Sequence, residues 1–362
     1  MVPAHSNESR LVFNGRFLTQ AVTGVQRFAR ETIRSFAALG FAESAEAIAP
    51  TAPPLIDDCF TDMDLRRFGR YSGHLWEQSE LSRGAGDALL VNLCGTAPCF
   101  RRRQLVVLHD ASVAALPQSY TFAFRAWYQV MIRSYAARAQ RIATVSKFSA
   151  EEISRYFGIP LSRIEIIPES GEHVLRAAPD YSLHAKFGLE EDGYFVAVSS
   201  QAYHKNFSGV VHAVSRLPSN RFKFVIVGGQ NSSVFNKTTI EASDGVVQVG
   251  FVSDGQLRAL YERASCLVYP SLYEGFGVPP LEAMACGCPV IVSNVASLPE
   301  VCGDAAVYCD PTDPGDIARQ LSSVLESSAA RQEYREAGLN KSQEWTWAKA
   351  AQSLEKIILK AN

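Results

Sequence analysis

The chain alternates short, uniformly apolar runs with longer stretches in which apolar residues recur at helical spacing. In its first half, the runs that predict strands lie at residues 11–13, 88–91, 105–108, 141–145 and 164–167. Between Val25 and Leu39 the apolar positions have the spacing of an amphipathic helix. Apolar strands that alternate with helices are typical of a parallel sheet covered on both faces.

The pattern restarts near residue 180, after a candidate linker at 168–179 that contains glycine and two prolines. Predicted strands then lie at 194–198, 222–227, 246–249, 266–269 and 289–292, and predicted helices at 206–217, 254–265 and 280–286. Asp254 is the expected N-cap of its helix. Two such units in succession predict two doubly wound domains, whose ligands bind beyond the carboxyl ends of the strands.

The segment that follows the strand at 266–269 has an unusual composition. Residues 270–282 read Pro-Ser-Leu-Tyr-Glu-Gly-Phe-Gly-Val-Pro-Pro-Leu-Glu. Gly275 and Gly277 allow the backbone to turn sharply and to approach a ligand closely. Pro280 suits the first position of a helix. The N–H groups of such a loop and helix start form an anion site suited to a diphosphate.

Two carboxylates, Glu274 and Glu282, flank this loop. A carboxylate repels phosphate but accepts hydroxyl protons, so the pair predicts binding of sugar and ribose hydroxyls. For Glu282 alone the alternative is structural, because an acid in the first turn of a helix favours the helix dipole. Both carboxylates together with the intervening glycines and prolines favour the hydroxyl-binding interpretation.

The spacing Glu-x7-Glu from Glu274 to Glu282, within residues 270–287, resembles retaining glycosyltransferase family 4, which has the GT-B fold. The resemblance continues through Pro-Val-Ile-Val-Ser-Asn at 289–294 and Leu-Pro-Glu-Val at 298–301. It implies an α/β architecture of two Rossmann-like, doubly wound parallel-sheet domains that face a cleft. The implied domains are an acceptor domain at 1–175, a nucleotide-sugar donor domain at 176–345, and a C-terminal helix at 346–362 that crosses back to the first domain.

The resemblance also implies roles for single residues. Glu274 contacts the donor sugar, Glu282 binds the ribose, and Lys205 binds the diphosphate. Gly24 brings a backbone N–H to the diphosphate, and His109 lies close to the donor sugar. The predicted catalytic residues are therefore His109, Lys205 and Glu274, and the predicted donor-binding residues are Gly24, Ser200, Lys205, Gly275, Phe276, Gly277, Val278 and Glu282.

The chain departs from the family pattern just before Lys205. Many family members carry an arginine five residues earlier, where this chain has Ser200. We expect the hydroxyl of Ser200, or another group, to make that phosphate contact. For Lys205 by itself the alternative is a solvated surface charge, and for His109 it is a purely structural hydrogen bond.

The implied reaction is transfer of a hexose from a nucleoside diphosphate to an acceptor hydroxyl, with retention of anomeric configuration. Fixed cationic groups and helix termini can replace a divalent metal at the departing diphosphate, so we expect neither a metal ion nor a cofactor. The motif variant resembles bacterial mannosyltransferases that use GDP-mannose and build surface polysaccharides such as lipopolysaccharide on a glycan or lipid-linked acceptor. The alternative donors are UDP- or dTDP-sugars. The alternative functions are those of a sugar-nucleotide epimerase and of an inactive nucleotide-sugar-binding module.

A basic and aromatic stretch lies in the first half of the chain. Residues 99–141 contain seven arginines and a single acid, Asp110, with aromatic residues interleaved. One interpretation is a surface that makes peripheral contact with an anionic membrane or with a lipid-diphosphate acceptor. The alternative is a buried aromatic helix with a solvated basic edge.

Composition and charge indicate which classes of protein and which cellular location fit this chain. The formal net charge of -2 is a poor match for nucleic acid, and the hydrophobic content of 47% is that of a folded globular protein. The sequence contains no apolar run long enough to cross a membrane and no secretory signal at its N-terminus. No cysteine pair has Cys-x-x-Cys spacing, so we expect reduced thiols and a cytoplasmic location.

Overall fold

The computed structural model describes residues 10–43, 45–56, 63–198, 202–217, 221–228 and 245–361. These residues form two compact units. The first unit holds the described residues within 10–111, 126–169 and 347–361, and the second unit holds those within 112–125 and 170–346.

A parallel sheet forms the centre of the first unit. Within the described residues its strands are β1 (Leu11–Asn14), β2 (Ala45–Ala49), β3 (Asp64–Arg67), β4 (Leu89–Asn92), β5 (Gln104–Val107), β6 (Arg141–Thr144) and β7 (Ile164–Ile166). Their order is β3-β2-β1-β4-β5-β6-β7, and all neighbours are parallel. The strand order reverses its direction between β1 and β4, which is where doubly wound sheets bind ligands.

The second unit has a sheet of the same kind. Its strands in the described part of the chain are β8 (Tyr194–Val198), β9 (Lys223–Val227), β10 (Val246–Gly250), β11 (Leu267–Tyr269), β12 (Val290–Ser293) and β13 (Val307–Cys309). They follow the order β10-β9-β8-β11-β12-β13 and are parallel throughout. Here the order reverses between β8 and β11.

Helices cover these sheets. The described α-helices are α1 (Gly24–Ala38), α2 (Gly73–Ser79), α3 (Leu81–Ala85), α4 (Ser112–Ala115), α5 (Phe122–Arg138), α6 (Lys147–Phe157), α7 (Ser182–Phe187), α8 (Phe207–Val214), α9 (Asp254–Arg263), α10 (Val278–Ala285), α11 (Leu298–Cys302), α12 (Pro314–Leu325), α13 (Ser328–Ser342) and α14 (Trp347–Leu359). Short 3-10 helices at Tyr203–Lys205 and Glu172–Arg176 also matter for the site. The predicted fold class, two Rossmann-like parallel-sheet domains, is confirmed.

Every predicted strand is present within one or two residues of its expected bounds, but β2, β3 and β13 were not predicted. β2 is rich in alanine, which has low strand propensity, and β3 is a polar strand at the sheet edge. β13 has only three residues. Short or polar strands of this kind are specified by pairing with a neighbour, which the local pattern does not reveal.

One predicted N-cap and one predicted helix start were wrong. The N-cap of α9 is Ser253, which forms a capping box with Gln256, and Asp254 is the first helical residue. α10 begins at Val278 instead of Pro280, because its N-cap, Gly277, already turns the chain with φ at 104°. Pro280 is therefore the third residue of α10.

The last helix belongs to the first unit. α14 packs against α1, and the Trp347 ring meets the Phe28 ring edge to face at 6.2 Å. The buried side of α14 is apolar and follows helical spacing: Trp347, Ala350, Ala351, Leu354, Ile357 and Ile358. The first unit is therefore completed by the end of the chain.

Candidate functional site

Lys205 and Glu274 form an ion pair at the carboxyl edge of the second sheet. Lys205 follows β8 and Glu274 follows β11, and these strands are parallel neighbours. The Nζ of Lys205 lies 2.7 Å from Oε1 and 2.9 Å from Oε2 of Glu274. It also donates to the hydroxyl of Tyr269, the last residue of β11, at 3.3 Å. All three ammonium protons of Lys205 thus have acceptors within this unit.

The pair holds Glu274 in its charged form. Only 8% of Glu274 is exposed. Burial alone would raise the pKa of Glu274, but the charge and hydrogen bonds of Lys205 and the charge of His204 outweigh it. The net result is a pKa below the ordinary value, so Glu274 is a carboxylate at neutral pH and can accept hydrogen bonds from hydroxyl groups.

Buried partners fix the backbone of the glycine-rich loop. The hydroxyl of Ser297 lies 2.7 Å from the carbonyl oxygen of Phe276 and 3.1 Å from that of Glu274. The Phe276 ring packs edge to face on Trp345, with centroids 5.2 Å apart. Since Phe276 is buried, its contribution to a ligand site is limited to its backbone.

The start of α10 has few amide donors to offer. Residues 279 and 280 are both proline, so among the first four helical residues only Val278 and Leu281 carry an N–H. Gly277 precedes them in a left-handed conformation, and a Cβ on Gly277 would lie 2.6 Å from Cδ2 of Leu298. This position therefore requires glycine both for its backbone angle and for its close packing.

Glu282 lies on the same helix and is held from two sides. His173 approaches Oε1 of Glu282 at 2.9 Å through Nε2, and the Tyr261 hydroxyl donates to Oε2 at 3.3 Å. The segment before His173 is pressed against α10, because a Cβ on Gly171 would lie 2.3 Å from the nitrogen of Glu282. Glu282 is 8% exposed, so its carboxylate is oriented by protein groups and reaches solvent over a small area.

His109 follows β5 in the first unit, and both of its ring nitrogens have partners there. Nε2 lies 2.9 Å from the carbonyl oxygen of Leu93, and Nδ1 lies 3.3 Å from Oε1 of Glu169. Burial would lower the pKa of His109, but the hydrogen bond and charge of Glu169 and the Leu93 carbonyl raise it above its ordinary value. The Phe28 ring packs edge to face on the imidazole at 4.9 Å.

Gly24 is the first residue of α1, after a capping box formed by Thr23 and Gln26. A Cβ on Gly24 would meet open space, so the backbone is accessible at this point. Ser200, predicted as a phosphate contact, lies outside the described residues. The structure thus brings Lys205 and Glu274 into contact and places Gly275 to Val278 and Glu282 in the same unit.

Several residues around the predicted site were not anticipated: Tyr269, Ser297, His173 and Tyr261 in the second unit, and Glu169 in the first. Tyr269 directly precedes the predicted loop, so the end of β11 was a usable indication. His173 lies more than 100 residues before Glu282, and no local pattern connects the two.

The basic and aromatic stretch is partly buried and partly exposed. Met131, Ile132 and Tyr135 of α5 lie in a core cluster of the first unit. Trp127 and Phe100, by contrast, are exposed, and the guanidinium of Arg138 lies over the Phe100 ring at 5.6 Å. The structure therefore contains a buried aromatic face together with an outward-facing one.

Comparison with known proteins identifies the family. Residues 182–341 match the model of Glycosyl transferases group 1. Over 255 residues the chain is 31% identical to O-antigen chain mannosyltransferase B of Escherichia coli, and the match covers 68% of this chain and 67% of that protein. The chain belongs to the glycosyl transferases group 1.

Other matches agree with this assignment. This group 1 glycosyltransferase is 31% identical over 248 residues to serotype-specific mannosyltransferase WbdA of Escherichia coli, but it spans only 29% of that protein. Among solved structures, Anabaena Alr3699/HepE in complex with UDP-glucose superposes with a TM-score of 0.76. The identity is 14%, with 97% of this chain and 100% of that chain covered, so this likeness concerns the fold alone and confirms GT-B.

Three further observations complete the description of this glycosyltransferase. In the part of the chain that the structure describes, no helix combines the length and the apolar character needed to cross a bilayer. Among those same residues no cluster of three acidic, histidine or cysteine side chains suits a metal ion. The cysteines described are free thiols, and burial raises the pKa of Cys94, Cys286, Cys302 and Cys309 to about 12.

Proposed function

We propose that this chain transfers mannose from GDP-mannose, with retention, to a hydroxyl group of a glycan or lipid-linked saccharide during synthesis of a bacterial surface polysaccharide. The main support for a donor site is a pair of buried carboxylates, one before the glycine-rich loop and one in α10. Glu274 is held by Lys205, and Glu282 is held by His173 and Tyr261. The choice of mannose rests on the relatives, which include O-antigen chain mannosyltransferase B and serotype-specific mannosyltransferase WbdA.

In this proposal Glu282 accepts hydrogen bonds from the ribose, and Glu274 accepts them from the donor sugar. Both side chains suit this role, because they are nearly buried, are held in place by neighbouring protein groups and end in carboxylate oxygens that accept hydrogen bonds from hydroxyl groups. A carboxylate that is already desolvated loses little hydration when a sugar hydroxyl arrives.

Lys205 is the proposed counter-charge for the departing diphosphate. Its bond to Tyr269 is the longest of its three, at 3.3 Å, whereas both bonds to Glu274 are shorter than 3 Å. We infer that Lys205 exchanges the Tyr269 bond for a phosphate oxygen and keeps its contact with Glu274. Negative charge builds on the diphosphate as the anomeric bond breaks, so a fixed ammonium there stabilises the transition state.

The second unit is proposed to offer the diphosphate further hydrogen-bond donors, namely the backbone N–H groups of Gly275, Phe276, Gly277 and Val278. With Lys205 they supply positive potential without a metal ion, so we expect the reaction to proceed in excess EDTA. From the first unit, Gly24 and His109 are proposed as further contacts to the diphosphate and the donor sugar. The raised pKa of His109 favours an imidazolium, which cannot act as a base. Its two N–H groups face Leu93 and Glu169, so its proposed effect on the donor sugar is electrostatic.

The donor assignment can be tested with purified protein. A thermal-shift screen against GDP-, UDP-, ADP- and dTDP-sugars should give the largest stabilisation with GDP-mannose. Radiolabelled mannose should then appear in a saccharide acceptor, with and without EDTA, and NMR should show the α-anomeric configuration retained. Preference for a UDP-sugar would overturn the choice of donor, and loss of turnover in EDTA would overturn the metal-independent reaction.

Variants separate the roles of the two carboxylates. Glu282→Ala should raise the KM for the donor, because the ribose contact is made in the ground state and in the transition state alike. Glu274→Gln should mainly lower kcat. The exposed Glu190 of the same unit provides the control, since Glu190→Gln should change neither parameter. Unchanged kinetics in both site variants would contradict the site assignment.

We also propose that the first unit docks on the cytoplasmic side of an anionic membrane. The surface formed by α2, α5 and the loop between β4 and β5 exposes large apolar side chains: Leu75 (59%), Phe100 (83%), Trp127 (46%) and Val130 (64%). Exposed basic residues lie close to them in the sequence, including Arg102 and Arg133. Aromatic and basic side chains together suit the headgroup region of an anionic bilayer.

Sedimentation with lipid vesicles tests this docking surface. The wild type should sediment with vesicles of anionic lipid and not with zwitterionic vesicles, and Phe100→Ser with Trp127→Ser should abolish sedimentation. Phe251 is a matched control, because it is 80% exposed but lies in the second unit. Equal sedimentation of the wild type with both kinds of vesicle, or of the double variant and the wild type, would contradict the proposal.

A further inference from the structure

His173 and Glu282 form a buried contact within the second unit. His173 lies in the 3-10 helix Glu172–Arg176 and is only 2% exposed. Its Nε2 lies 2.9 Å from Oε1 of Glu282. The contact is possible because Gly171 has no side chain: a Cβ there would lie 2.3 Å from both the nitrogen of Glu282 and the carbonyl carbon of Leu281.

The two oxygens of Glu282 are held by different elements. Oε1 faces His173, and Oε2 accepts from the hydroxyl of Tyr261 on α9, at 3.3 Å. A carboxylate has about two lone-pair directions on each oxygen. One described protein donor on each oxygen fixes the plane of the carboxylate and leaves one acceptor direction on each side for a ligand.

Two acceptor directions, one on each oxygen of the carboxylate, match two adjacent hydroxyl groups. A ribose carries such a pair at its 2′ and 3′ positions, whereas a 2′-deoxyribose carries only one of the two. A polar group left without its partner in a nearly buried site costs binding energy, which makes discrimination of this kind effective.

We propose that His173 is a positioning residue that aligns Glu282 for the vicinal diol of a ribonucleotide, so that the site selects ribonucleoside diphosphate sugars over deoxyribonucleoside ones. This rests on the proposed role of Glu282 as the ribose ligand. It has a consequence for the donor: dTDP-sugars, which lack the 2′-hydroxyl, are disfavoured relative to GDP- and UDP-sugars.

Calorimetric titration with GDP, 2′-deoxy-GDP and 2′,3′-dideoxy-GDP tests this alignment. The wild type should bind GDP at least about tenfold more tightly than dideoxy-GDP, which corresponds to one hydrogen bond to a charged group. His173→Leu should lose most of that preference by weakening GDP binding while leaving dideoxy-GDP binding unchanged. The same series with UDP is run in parallel, and the base that binds more tightly is used for the comparison.

Two further variants separate alignment from a merely structural role. His173→Gln places an amide N–H at similar reach and should restore the preference, and Tyr261→Phe, which removes the donor to Oε2, should reduce it. The exposed His212 of the same unit is the matched control, since His212→Leu should leave all affinities unchanged. In turnover, His173→Leu should raise the donor KM with little change in kcat.

The outcomes distinguish this inference from the function on which it rests. If the wild type does not discriminate GDP or UDP from its dideoxy analogue, the ribose role of Glu282 is wrong. If the wild type discriminates but His173→Leu weakens ribonucleotide and dideoxynucleotide equally, then His173 only supports the fold and the alignment is wrong. If His173→Leu does not fold, the test rests on His173→Gln and Tyr261→Phe. The proposal is overturned if Tyr261→Phe keeps the full preference for the ribonucleotide over the dideoxynucleotide while His173→Gln has none.

Discussion

The ion pair of Lys205 and Glu274 places two charges where little solvent reaches them. Removing one partner of such a pair leaves the other desolvated and uncompensated, so Lys205→Met should lower the free energy of unfolding by about 3–5 kcal/mol at neutral pH. Adding Glu274→Gln to this variant should recover much of the loss. Lys186→Met, at an exposed lysine of the same unit, is the control. Urea denaturation measures all four proteins, and equal stability of the single and double variants would contradict a coupled pair.

The same pair should respond to acid. The pKa of Glu274 lies below its ordinary value of 4.5, so the stabilisation is present above that pH and is lost as the pH falls through the lowered pKa of the folded state. The difference in unfolding free energy between the wild type and Glu274→Gln should therefore shrink as the pH falls below 4.5.

His109 should show the opposite pH dependence. Its pKa is raised above the ordinary value of 6.5 by Glu169 and the Leu93 carbonyl, which outweigh the effect of burial. The stabilisation is then complete below pH 6.5 and is lost as the pH rises through the raised pKa of the folded state. The stability difference between the wild type and His109→Gln should decrease as the pH rises from about 6 to 9. His212→Gln is the control, and a constant difference for His109→Gln would contradict a titrating ion pair.

At the scale of single residues, the candidate site residues that the sequence indicates most clearly lie on one continuous segment. Glu274, Gly277 and Glu282 are within nine residues of one another, so their spacing carried information. The partners of these residues could not be predicted in the same way: His173 reaches Glu282 only because the backbone at Gly171 touches α10, and such a contact is set by tertiary packing.

At the scale of elements, the start of α10 depends on the geometry of Gly277. Gly277→Ala introduces two costs: a left-handed backbone, about 1–2 kcal/mol for a residue with a Cβ, and a contact of 2.6 Å with Leu298. Gly245→Ala separates them, because φ at Gly245 is +91° but a Cβ there meets open space. Gly277→Ala should therefore be the more destabilising change in thermal denaturation, and adding Leu298→Ala should relieve its steric part. Equal losses for both glycine variants would show that packing at Gly277 is unimportant.

Element boundaries show what a local pattern can specify. The strands β8 and β9 were predicted almost to the residue, because each contains at least four consecutive apolar residues. The N-cap of α9 was predicted one residue too late, because Ser253 and Asp254 are both acceptable caps. In that case the capping box with Gln256 decides, and it depends on a side chain three residues further along the helix.

At the scale of the whole molecule, the order of elements along the chain predicted the two sheets, whereas the return of the last helix to the first unit was implied only by the family resemblance. Ile357 and Leu359 of α14 test that return. Ile357 is 2% exposed and faces the first unit, whereas Leu359 is 64% exposed on the same helix. Because a large buried side chain is lost, Ile357→Ala should lower the free energy of unfolding by about 2–5 kcal/mol, and Leu359→Ala should have little effect.

Hydrogen exchange shows where that loss acts. If α14 is part of the first unit, then Ile357→Ala should speed the exchange of amides in α1 and α14, because it weakens the packing between these helices. The amides of β8, β11 and α10 in the second unit should remain as protected as in the wild type. Leu359→Ala should leave both sets unchanged. Faster exchange in the second unit with no change in α1 would mean that the last helix stabilises the other half of the chain. Each unit has its own sheet and core. A cavity made in one core should therefore reduce protection from hydrogen exchange first in the strands and helices that line that core.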